Sequence, residues 1–106
     1  MGFVTIKKQK KKISALILVH IFGYSGDVLE IKKIFNFFKI ELIEDAAEAV
    51  GSFYKKKHLG TFGKLAALSF NGNKTITTGA GGAVITDNKK LAKKIFSLSI
   101  VSKLPH

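Results

Sequence analysis

The sequence has no cysteine and no arginine. The first absence excludes disulfides and thiolate metal sites. The second weakens any case for sequence-specific nucleic-acid reading. Arginine makes the planar, bidentate contacts to phosphate and guanine, whereas all 18 basic residues here are lysine. A lysine-favouring codon bias produces the same composition with no function attached. Only seven residues are acidic, so the formal net charge is +11 and the pI about 10.0. No apolar run is long enough to span a bilayer. Lys7 to Lys12 followed by Ile13 to Val19 has the basic-then-apolar order of a secretory signal. However, His20 interrupts the apolar run, and Gly23-Tyr24-Ser25-Gly26 is no Ala-x-Ala cleavage site. The segment reads instead as a buried strand and the protein as cytoplasmic, with no membrane partner and no specific nucleic-acid partner.

What is present suffices for one domain with a modest core: 106 residues, 46% of them hydrophobic. Residues 1–12 are a lysine-rich lead-in without periodicity. Ala15 to Val19 is a continuous apolar run, as expected of a strand buried on both faces. Asp27, with Glu30 three residues later, has capping-box spacing and opens a helix. Val28, Leu29, Ile31, Ile34, Phe35 and Phe38 form its apolar side, with Lys32, Lys33 and Asn36 opposite. Ile40 to Ile43 reads as a second strand, Leu65 to Phe70 as a third and Gly82 to Thr86 as a fourth. Lys55-Lys56-Lys57 forms a solvated turn between short extended pieces. Asp87 or Asn88 caps a last helix with the stripe Leu91, Ala92, Ile95, Phe96 and Leu98. There is no internal repeat or linker. This order predicts an α/β fold with a mostly parallel sheet, whose ligands sit at the carboxyl ends of strands. Asp45 and Lys74 both fall just after predicted strands.

Lys74 differs from the other lysines because it follows an apolar strand and precedes the turn Gly79-Ala80-Gly81-Gly82. A lysine held there can serve as an amine nucleophile toward aldehyde cofactors. Phosphate-loop readings fail. A Walker A loop needs glycine directly before the lysine, where Asn73 stands, and a dinucleotide fingerprint from Gly79 needs glycine where Val84 stands. Alone, Lys74 reads as a solvated loop lysine and Asp45 as a cap after a strand.

Together they match a larger pattern. Val19-His20-Ile21-Phe22-Gly23, Ile43 through Ser52, Gly60-Thr61-Phe62-Gly63 and Ser69 through Gly82 occur in order, with 29 residues from Asp45 to Lys74. In these blocks the sequence resembles the DegT/DnrJ/EryC1/StrS family of sugar aminotransferases, over roughly residues 12–99. Within that family it is most similar to enzymes of bacillosamine- or legionaminic-acid-type pathways. The resemblance implies part of the large domain (residues 13–106) of a fold-type I transferase using pyridoxal 5'-phosphate. It implies that Lys74 bonds to the cofactor aldehyde and then serves as the acid/base. It further implies that Asp45 pairs with the pyridine nitrogen, that Ser69 binds the phosphate, and that Glu48 lies near the cofactor. Many relatives carry glutamine or histidine in place of Glu48. Implied partners are a nucleotide-linked keto sugar, an amino donor such as glutamate, and a second copy in a homodimer.

His20 reads as a packing or hydrogen-bonding residue, His58 as solvated, and terminal His106 as uninformative. Gly79, Gly81 and Gly82 read as positive-φ positions, and Phe35, Phe37 and Phe38 as core. Family members are much longer than this chain, so apolar faces and strand edges are expected to be exposed. Two further readings stand beside the aminotransferase: an inactive remnant of such an enzyme, and a small basic nucleic-acid- or membrane-surface-binding module. No recognition motif accompanies the charge for the latter.

Overall fold

The computed structural model describes residues 12–101, so the lead-in before Lys12 and His106 lie outside the described residues. Six strands and two helices follow one another, together with a short 3-10 turn at Ile21–Gly23. The strands are β1 (Ala15–Val19), β2 (Glu41–Asp45), β3 (Phe53–Tyr54), β4 (Lys57–His58), β5 (Leu65–Ser69) and β6 (Gly82–Ile85). The helices are α1 (Val28–Phe37) and α2 (Lys89–Val101).

The four longer strands form one sheet in the order β1-β2-β5-β6. The pairs β1–β2 and β2–β5 are parallel, and β5–β6 is antiparallel. The sheet is therefore mixed but mostly parallel, as expected. Its register aligns Val19 with Asp45 and Asp45 with Ala67, so three carboxyl ends share one edge. β3 and β4 form a separate hairpin whose tip is Lys55-Lys56.

Asp27 caps α1: its carboxylate accepts the Glu30 N–H at 3.1 Å and the Tyr54 hydroxyl at 2.9 Å. These two donors, the Glu30 amide first, hold the Asp27 carboxyl below the usual carboxylate range. Asn88, not Asp87, caps α2, accepting the Leu91 N–H at 2.9 Å. The main buried apolar cluster is Val28, Ala46, Ala49, Leu59 and Phe62, with Leu18, Tyr54 and Leu68 against it.

Several expectations fail where burial depends on a neighbouring layer. β1 is not buried on both faces. It is an edge strand, and Ile17 and Val19 are 64% and 51% exposed because no described element covers that face. Leu29 lies at the exposed margin of α1, and Phe37 is exposed with its ring edge-on to Phe38. On α2 only Leu91 and Ile95 of the predicted stripe are half-buried. Phe96 and Leu98 are exposed, and Phe96 lines an open apolar groove of about 800 Å³ between the helix and β5 and β6. Among the described residues, no helix is long and apolar enough to cross a membrane.

Candidate active site

The site lies where the sheet register predicts, at the carboxyl ends of β1, β2 and β5. Asp45 is the last residue of β2 rather than the first of a loop. One of its oxygens, Oδ1, accepts the Ala47 N–H at 3.1 Å, so it caps the following turn. Its backbone carbonyl receives the His20 N–H at 3.0 Å, which joins the ends of β1 and β2.

Lys74 sits on the loop that joins β5 to β6. Phe70 pins the loop's base: its N–H donates to the Gly81 carbonyl at 2.9 Å. The Phe70 carbonyl accepts the Thr78 N–H and the Thr77 hydroxyl, both at 3.0 Å. Gly79 and Gly81 adopt positive φ, +84° and +114°. Gly82 does not. It is an extended β6 residue that must be small because a Cβ would stand 2.6 Å from the Leu68 carbonyl oxygen.

Two adjoining clefts share Ala47, Glu48 and Lys74. One, about 390 Å³, is completed by Phe22, Val50, Ser69, Asn73 and Thr75. The other, about 300 Å³, is completed by Val19, His20 and Asp45. The four residues named from the sequence line these two clefts: Ser69 the first, Asp45 the second, and Glu48 and Lys74 both. The Lys74 side chain is only 19% exposed, and its Nζ is 3.9 Å from Glu48 Oε1. Glu48 Oε2 accepts the Phe22 N–H at 2.9 Å.

His20, on the wall of the second cleft, is bonded to a buried carboxylate for which no role was expected. Glu44 is fully buried. Its Oε1 accepts from Gly60 N at 2.8 Å and from His20 Nε2 at 2.9 Å. Its Oε2 accepts from Phe62 N at 2.8 Å and Gly63 N at 2.6 Å. The block Gly60-Thr61-Phe62-Gly63 is therefore a donor nest wrapped on Glu44. Gly63 must be glycine, since a Cβ there would meet the Leu42 carbonyl oxygen at 2.6 Å. A signal existed: Leu42 and Glu44 share the buried face of β2, with Ala46 in phase just beyond it, which puts a charge in step with the core. His20 is buried in its hydrogen-bonding role, with the Nε2 hydrogen on Glu44 and Nδ1 without a partner among the described residues. His58 is not solvated. Its Nε2 accepts the Gly51 N–H at 2.8 Å and its Nδ1 donates to the Leu59 carbonyl, which ties the hairpin back to the turn after β2.

An amine, two carboxylates and a strand-end hydroxyl thus line two clefts that share Lys74 and Glu48. The model of the DegT/DnrJ/EryC1/StrS aminotransferase family matches residues 4–104. The chain belongs to this family. GDP-perosamine synthase of Escherichia coli O157:H7 is 46% identical over 85 residues, covering 80% of this chain and 23% of that protein. Helicobacter pylori PseC, an aminotransferase of pseudoaminic acid biosynthesis, superposes with a TM-score of 0.79 at 31% identity, over 85% of this chain and 24% of its own. The E. coli GDP-4-keto-6-deoxy-D-mannose-3-dehydratase, solved with hydrated pyridoxal phosphate, has a TM-score of 0.78 at 27% identity over 87% and 24%. The mixed sheet is thus the fold-type I architecture, and the chain spans about a quarter of the length of these relatives. The family depends on pyridoxal phosphate. The DegT/DnrJ/EryC1/StrS residues here fit that group chemically, with a partly shielded primary amine, and a carboxylate whose Oδ2 has no hydrogen-bond partner among the described residues, on the same cavity.

Proposed function

We propose that this chain carries the lysine-bearing part of the active site of an aminotransferase that uses pyridoxal phosphate. The reaction moves an amino group from glutamate to a nucleotide-linked keto sugar. The observation that carries this reading is that Lys74 lines two clefts at the carboxyl ends of the parallel strands, one shared with Asp45 and the other with Ser69.

When bound, pyridoxal phosphate supplies an electron-withdrawing ring that stabilises negative charge on the substrate carbon. Lys74 Nζ would hold the group at its aldehyde and would carry a proton to and from the substrate. Asp45 would accept a hydrogen bond from the pyridine N–H and so would favour the protonated ring. Such a charge-assisted bond would be worth about 1.5–3 kcal/mol. Ser69 would donate its hydroxyl to the phosphate. Residues 13–106 correspond to part of the large domain, preceded by the lysine-rich lead-in, and the enzyme works in the cytoplasm as a homodimer. No specific nucleic-acid partner and no membrane partner belongs to this reading.

The test is turnover of a nucleotide-linked 4-keto sugar with glutamate. Both a GDP-linked substrate and one of the bacillosamine type are supplied. Amination abolished by Lys74→Ala is the expected result. Amination that survives Lys74→Ala overturns the assignment. A chain that binds pyridoxal phosphate at Lys74 but aminates neither sugar fits the inactive remnant instead.

A further inference from the structure

Phe22 has φ +52° and ψ +28°, a left-handed conformation that a bulky side chain rarely adopts. Its ring is 84% exposed, so packing does not hold it there. Its N–H donates to Glu48 Oε2 at 2.9 Å, and the other Glu48 oxygen faces Lys74 Nζ at 3.9 Å. The three side chains line the same cleft. Both Glu48 oxygens are therefore engaged by groups of this chain, one from the turn after β1 and one from the loop after β5.

We infer that Glu48 is a positioning residue. One carboxylate fixes the left-handed Phe22 turn and, through an ion pair, the direction of the Lys74 amine, so that two walls of the cleft are set before any ligand arrives. An off-region backbone conformation beside a reactive amine persists only where surrounding contacts over-determine it, and Glu48 supplies such a contact. The importance of this role rests on the proposed function, but its test does not.

The test uses the chain without cofactor. Amide exchange at Phe22 is followed by NMR, and acetylation of Lys74 is compared with that of the other lysines by mass spectrometry. In Glu48→Ala, Phe22 exchanges about tenfold faster, as expected for loss of a bond to a charged acceptor, and Lys74 is acetylated several-fold faster. In Glu48→Gln the side-chain carbonyl still accepts from Phe22, so exchange stays within about twofold of the parent while Lys74 labelling still rises. If either property stays unmoved in Glu48→Ala, the two-armed role is overturned. If that variant unfolds, Glu48→Gln decides, and unchanged Lys74 labelling there overturns the inference. Failure of pyridoxal phosphate to bind sinks the proposed function and leaves these rates interpretable.

Discussion

His20 Nε2 and Glu44 Oε1 lie 2.9 Å apart, both side chains fully buried, and join the end of β1 to the core face of β2. The same carboxylate gathers three backbone N–H groups from residues 60, 62 and 63. A buried carboxylate is costly unless its lone pairs are satisfied, and here four donors satisfy them. Glu44→Gln replaces one acceptor by an NH₂ facing backbone donors. It is expected to cost about 2–4 kcal/mol, because buried donors lose their partner. Urea unfolding reads this as a lower midpoint at unchanged slope.

Gly63→Ala tests the same nest from the other side. The added Cβ would stand 2.6 Å from the Leu42 carbonyl oxygen, a backbone atom that cannot swing away. A loss of about 1–3 kcal/mol is expected by the same unfolding assay, typical of forced overpacking.

Lysines occupy left-handed backbone at the tip of the β3–β4 hairpin and just after α1. Lys56 has φ +67° and Lys39 φ +55°, positions that favour glycine. Lys56→Gly and Lys39→Gly are each expected to stabilise the chain by about 0.5 kcal/mol. This is the relief of the left-handed penalty less the extra unfolded-state entropy of glycine. Alanine at either position should bring no such gain in thermal unfolding.

Asp27 gives a pH signature. Its carboxyl is held below the usual range by the Glu30 amide and then by the Tyr54 hydroxyl. Its contribution to stability is therefore present above the unfolded carboxylate value, near pH 4, and lost as pH falls through the lower folded value. The stability difference between the parent and Asp27→Asn should shrink on acidification from about pH 5 to pH 2, whereas above pH 5 it should stay constant.

Local patterns made much of this legible. Asp27 three residues before Glu30 marked a helix start, and short apolar runs marked the strands. The resemblance picked out residues that now line two clefts sharing Lys74. What escaped is non-local. The Glu44 oxygens are satisfied by backbone donors 16 to 19 residues away, which no period along β2 reveals. His58 looked solvated beside three lysines, yet both of its ring nitrogens are bonded to backbone. The exposure of Ile17 and Val19 depends on what covers the edge strand, not on its composition. The antiparallel β5–β6 pairing follows from the loop that carries Lys74, whose pinned ends bring Ser69 opposite Gly82.

The central claim is that one lysine among 18 is the cofactor-binding amine. The most direct measurement is incubation with pyridoxal phosphate, reduction with borohydride and peptide mapping by mass spectrometry. The account predicts a phosphopyridoxyl group concentrated on Lys74, and its loss from the map in Lys74→Ala. Label spread evenly over the surface lysines, with Lys74 no more modified than Lys55 or Lys93, would contradict it.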